Sequence, residues 1–216
     1  MKEFFLNKRF IVTGLLVLFS IVFLGYFTQS DKVNPVFQTL LVSVTFFLVV
    51  PALYCKIVLK ESLKNLGWQS GNFFRGVFSG IMCIALGLGI VLLLSRFTPF
   101  PEKYLLPRIV EMNFLWFMAY ELILVAFALF LYESFFRGLV ELLWLRSFGF
   151  LAIFLQSALF ISLLYLADDL SWQRVPAILF SPLAGIVAYY GRSIWYSFVA
   201  SWIFFFLTDV FLLTLH

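Results

Sequence analysis

Apolar residues run along the chain in seven long blocks, separated by short stretches that hold most of the charge. The blocks cover residues 10–27, 36–55, 76–94, 114–132, 150–167, 177–190 and 193–215. A membrane-crossing helix needs about 20 mostly apolar residues. The pattern therefore predicts an all-α polytopic transmembrane bundle of seven spans; an eighth would require 96–113 to dip into the lipid. The first block follows Lys2, Lys8 and Arg9 and is too long for the apolar core of a secretory leader, so it reads as a retained span. Pro51 predicts a kink in the second block. The sixth is short and holds Pro182 and Gly185, which predicts a tilted, broken or partly re-entrant segment.

Composition agrees with this pattern. Of 216 residues, 63% are hydrophobic and 12% charged, and the mean hydropathy is +1.05. Water-soluble domains carry about 45–50% apolar and about 25% charged residues, so a soluble enzyme, a nucleic-acid binder and a disordered tail are excluded. The net charge of +4 fits basic loops on the cytoplasmic side of a membrane. With the N-terminus inside, inner segments hold Lys2, Lys8, Arg9, Lys56, Lys60, Lys64, Arg75, Arg137, Arg146 and Arg192. Outer segments hold Lys32, Arg96, Lys103, Arg108 and Arg174. Ten against five predicts a multi-pass protein of the cell membrane with its C-terminus outside.

The loops are short and residues 1–216 read as one transmembrane domain without an internal repeat. Residues 59–66 (LKESLKNL) place Lys60 and Lys64 one turn apart with leucines on another face, which predicts an amphipathic helix lying on the cytoplasmic surface. Gly76 and Gly80, with Gly87 and Gly89 beyond, predict close helix packing, within the chain by default or against another subunit.

Candidate chemistry is sparse. Cys55 and Cys83 lie in apolar blocks and read as small buried hydrophobes. His216, at the chain end, is the one histidine; no set of zinc ligands and no cofactor is expected. Ser134, Ser162 and Ser201 lack a histidine to activate them. Glu121 stands twelve residues before Glu133, about 18 Å along a helix, too far to share its pocket. Asp168 and Asp169 suit a solvated loop and cap, and Asp209 a hydrogen-bonded structural role or a partner contact. No block carries a series of polar groups through the midplane, which argues against a transporter. In Tyr132-Glu133-Ser134-Phe135-Phe136-Arg137-Gly138, Glu133 and Arg137 are four residues apart and read as an ion pair near a helix end.

That same stretch resembles the first motif of the CAAX protease and bacteriocin-processing family (CPBP, or Abi), which is two adjacent glutamates, three residues, then arginine. Leu66-Gly67-Trp68 is similar to the lead-in of that family's core, and Gly191-Arg192-Ser193-Ile194-Trp195 to the turn that opens its last core helix. The resemblance covers about 59–207, leaving 10–55 as additional N-terminal spans. It implies a bundle built like the family's intramembrane proteases.

Key positions depart from the motifs. Tyr132 stands in place of the first glutamate, Leu164 and Ser201 in place of the two histidines, and Phe205 in place of an asparagine. In the family the first glutamate and the histidines are held to activate water and stabilise the oxyanion. Tyrosine is a poor base at neutral pH, and leucine and phenylalanine move no protons. The resemblance therefore implies a pseudoprotease with no catalytic residue, in which Glu133 and Arg137 are relicts. Its expected role is that of a scaffold or regulator for a membrane or envelope protein, bound through the dead pocket, the glycine face or the outer loops. The alternative is a divergent endopeptidase using Glu133 as its base.

Overall fold

The computed structural model describes residues 2–29 and 34–215; the side chains of residues 2–9 and 146 are not among those described. Lys32 and His216 lie outside the described residues.

Seven long helices, with no strand among the described residues, match the seven apolar blocks: α1 Lys2–Gly25, α2 Pro35–Val58, α3 Phe73–Phe97, α4 Phe114–Leu145, α5 Leu151–Leu166, α6 Val175–Gly191 and α7 Ile194–Leu213. Side-chain caps set four of the starts. Asn34 accepts from the backbone amides of Val36 and Phe37, Asn72 from that of Arg75, Asn113 from those of Leu115 and Trp116, and Ser193 from that of Trp195. Each cap satisfies amides that the first helical turn leaves free.

Helices α2, α3, α4 and α7 are long and apolar enough to cross a membrane. The apolar part of α1 (Phe10–Gly25) and α5 are shorter, and α6 has 17 residues. The break expected at Pro182 is absent: α6 runs through it unbroken. In α2, wide π-type turns stand on both sides of Pro51, where a proline removes an amide from the ladder.

Helix α3 lies on α6 and α7 along its glycines. A Cβ at Gly76 would stand 2.4 Å from Tyr196, and one at Gly87 would stand 2.9 Å from Phe204 and 3.1 Å from Phe180. The glycine face is thus occupied within the chain, which removes it as a docking surface; Gly89 alone of the four has open space.

Two ends of the bundle are defined by their connections. At one, Ile194 donates its amide to the Gly67 carbonyl (3.1 Å), Asn72 donates to Gly191 (2.7 Å), and Trp68 meets Trp195 edge to face. Gly71 has φ +56, and a Cβ there would meet the Gly191 oxygen at 2.1 Å, so glycine is required. At the other end, Gln173 reaches the Leu105 carbonyl and Trp172 packs on Phe100. The amphipathic helix expected over 59–66 does not form. Lys60 has φ +55, only a 3₁₀ turn follows at Leu63–Leu66, and Leu59 and Leu66 are buried in the core. Those leucines seal the bundle end, leaving no apolar stripe for the membrane surface.

Candidate functional site

Helix α4 carries Tyr120, Leu124, Ala128, Tyr132 and Glu133 at helical spacing on one face, and that face lines a cavity of about 690 Å³. The opposite walls are Phe160 and Leu164 of α5, Phe180 and Ser181 of α6, and Ser201, Phe205 and Asp209 of α7. Tyr104, Leu105, Pro107, Gln173 and Arg174 form the mouth at the loop end. Of the lining residues on α4, Leu124 is 57% exposed and Ala128 is exposed as well.

The deep end is polar and enclosed. The Ser201 hydroxyl donates to Glu133 Oε1 at 2.9 Å, and Arg137 Nε stands 3.6 Å from Glu133 Oε2. Arg137 Nη2 donates to the Ser181 carbonyl (3.1 Å), which also accepts from Gln156 Nε2 (3.0 Å). Glu141, fully buried, adds a second carboxyl to the surroundings of Arg137. Among the described residues only Glu133 lies within ion-pair distance of Arg137, and both Glu141 oxygens are buried without a hydrogen-bond partner.

The mouth end holds a different arrangement. Tyr104 donates its hydroxyl proton to Asp209 Oδ1 at 2.7 Å, and the carboxyl of fully buried Glu121 adjoins that of Asp209. Among the described residues, neither carboxyl forms an ion pair. The nearby cation, Arg174, is bound to Asp169 at 2.6 Å.

The residues singled out by sequence are partly gathered. Tyr132, Glu133, Leu164, Ser201 and Phe205, drawn from three helices, all line the one cavity. Glu121 does not line it, although its neighbour Tyr120 and its partner Asp209 both do. Asp169 binds Arg174 instead of capping the following turn.

Two expectations change. The Glu133–Arg137 pair does not sit near a helix end: α4 continues to Leu145, with every residue from Glu133 to Glu141 buried in π-type turns. Arg137 consequently leaves the tally of inner-loop cations, which becomes nine against five. Polar groups do follow one helix through the bundle, because Glu121, Glu133, Arg137 and Glu141 are all buried on α4. Ending the fourth span at residue 132 hid this series. Phe205, in the place of the family's asparagine, is half-buried and lines the cavity. Glu141 and Gln156 were missed; the four-residue spacing of Glu133, Arg137 and Glu141 is the signal that could have found the first.

Among the described residues, no three His, Cys, Asp or Glu side chains gather as metal ligands. No family model, curated protein or solved structure matches the chain.

Proposed function

We propose that the chain is a non-catalytic, CPBP-like bundle of the bacterial cytoplasmic membrane that acts as a scaffold or regulator for a partner membrane or envelope protein. In this reading it crosses the bilayer seven times, N-terminus inside and C-terminus outside, with membrane lipids around it. The observation that carries the reading is the state of Glu133. The residues at the family's working positions line one cavity, yet only Glu133 among them is an acid, and Ser201 and Arg137 occupy it. A general base must be free to take a proton from a water or substrate at hydrogen-bond distance. A carboxylate held by a guanidinium and a hydroxyl is a poor one, and among the described residues no imidazole stands beside it. The meeting of Leu66–Trp68 with Gly191–Trp195 also favours the resemblance, since the two motif-like segments close one end of the bundle together.

The test is purification from the native membrane in mild detergent. A stoichiometric membrane or envelope protein should accompany the chain, and Ser201→Ala should keep it, because a platform needs shape at that position more than a hydroxyl. The divergent endopeptidase has one observation in its favour, a cavity beside Glu133. Cleavage of a membrane substrate by the wild type, lost in a folded Glu133→Gln variant, would replace the scaffold reading with that one.

A further inference from the structure

A second, smaller cleft lies at the end of the bundle where 66–68 meets 191–195. Its volume is about 120 Å³, and it is lined by Lys64, Asn65, Gly67, Gln69 and Arg192 together with the apolar Leu142 and Leu143. Hydrogen bonds stitch the two loops into one frame. Ile194 donates its amide to Gly67 and Asn72 donates to Gly191. The Ser193 hydroxyl donates to the Gln69 carbonyl, and Gln69 Nε2 donates to the Arg192 carbonyl at 3.1 Å.

Two cations converge on this frame from loops distant in sequence. Among the described residues neither Lys64 nor Arg192 forms an ion pair, and no acid lines the cleft. Glu61, the acid of the same loop, accepts from Asn65 at 2.9 Å. Arg192 caps the end of α6 in left-handed backbone (φ +52), a place that glycine most often takes. Its guanidinium lies 5.5 Å from the centre of the Tyr189 ring, which supports its face and leaves its edge of N–H donors for an anion. A positive-inside bias is met by cations anywhere in these loops. It does not call for one in a strained position beside another.

The volume is below that of sites for whole small molecules (about 300–1,000 Å³), so the cleft suits a head group. Arg192 stands just before α7, a helix long and apolar enough to cross a membrane, which sets the cleft at the depth of lipid phosphates if α7 spans. Tyr190 and Trp195, on either side of Arg192 in the chain, are both exposed, and such rings collect at membrane–water boundaries. We infer that the cleft binds one phosphate group between Lys64 and Arg192, carried by an anionic phospholipid head or by a free phosphate compound. Basic pockets between membrane helices hold anionic heads in this way. The inference goes beyond the scaffold reading and uses neither Glu133 nor the large cavity.

The experiment uses the full-length protein in a nonionic detergent, titrated with dioctanoyl phosphatidylglycerol, dioctanoyl phosphatidylcholine or inorganic phosphate at constant ionic strength while thermal unfolding is followed. Phosphatidylglycerol should raise the unfolding midpoint saturably; phosphatidylcholine, whose own ammonium would face the two cations, should not. A response to phosphatidylglycerol assigns the lipid, and a response to inorganic phosphate alone assigns the free compound. Lys64→Gln should weaken the responding ligand by about tenfold, the loss of one hydrogen bond between charged partners. Arg192→Gly should weaken it at least as much, and glycine suits the left-handed backbone there, so that variant should fold. Lys56→Gln removes a cation at the end of α2 outside the cleft and should leave the affinity unchanged. The inference is overturned by no response to either phosphate, by an equal response to phosphatidylcholine, or by an equal loss in Lys56→Gln. Undiminished affinity in Lys64→Gln or Arg192→Gly overturns it too, and should one of these not fold, the other decides. No partner and no cleavage is read at any step, so failure here is separate from failure of the scaffold reading.

Discussion

Replacing Arg137 by methionine should damage the fold more than neutralising Glu133, although the two form one pair. Arg137 is 5% exposed, stands 3.6 Å from Glu133 and has Glu141 near it on the following turn. Arg137→Met leaves the buried Glu133 carboxylate without its cation and the Ser181 carbonyl short of one donor. Breaking a buried pair costs about 3–5 kcal/mol, and the lost Ser181 bond puts this variant at the upper end. Glu133→Gln is gentler. The amide still accepts from Ser201 and Arg137 still donates to the Ser181 carbonyl, so a loss at the lower end, about 3 kcal/mol, is expected. The triple variant Arg137→Met, Glu133→Gln, Glu141→Gln removes every charge from this layer and should recover much of the loss, since neutral replacements of buried ion clusters are often tolerated. Folded yield by size exclusion and thermal unfolding in one detergent would rank the three. Equal or greater damage from Glu133→Gln would refute this account of Arg137, and so would a triple variant no better than Arg137→Met.

Further outcomes follow from the packing. Gly76→Ala should destabilise by about 1–3 kcal/mol through overpacking on Tyr196, whereas Gly89→Ala, which meets nothing within 4 Å, should be neutral; thermal unfolding of the two variants checks this. Ser201→Ala should cost about 1.5–3 kcal/mol, the range for a hydrogen bond to a charged group, measured as a lower unfolding midpoint. Phe205→Asn, facing the open cavity, should leave the folded yield near that of the wild type. Leu164→His, at a position 3% exposed within the core cluster, should reduce it.

The positions of the helices were legible because each long helix coincides with an uninterrupted apolar block. The hydrophobic pattern failed at the end of α4, where ESFFRGLVEL reads as a charged helix terminus but is buried throughout. Charge patterning treats acids and bases as solvent-seeking. Here Arg137 lies four residues from each of two glutamates, and such a stripe can go inside because its charges oppose one another. The Glu133–Ser201 bond joins residues 68 apart; no periodicity shows it, and only the family resemblance suggested that both belong to one pocket. Asp209 was legible as an acid with a hydrogen-bonded structural role or a partner contact, but its partner Tyr104 sits in the proline-containing 96–113 stretch, and loop residues give no register from which to place them. The fate of 59–66 turned on Lys60, whose left-handed backbone the leucine spacing does not reveal.

The glycine seam of α3 bears on the order in which the molecule can be assembled. Its partners Phe180, Tyr196, Ala200 and Phe204 all belong to α6 and α7, which leave the ribosome after α4 and α5. At about 5–20 residues per second, 83 to 107 residues separate the end of α3 at Phe97 from Phe180 and Phe204, an interval of roughly 4–21 seconds. During that time α3 waits in the bilayer with its backbone exposed along one side, while α4 and α5 can already pair through Tyr132, Phe136 and Phe160. Biogenesis therefore has two stages, and chains cut before α6 should present the seam to other helices and to membrane quality control.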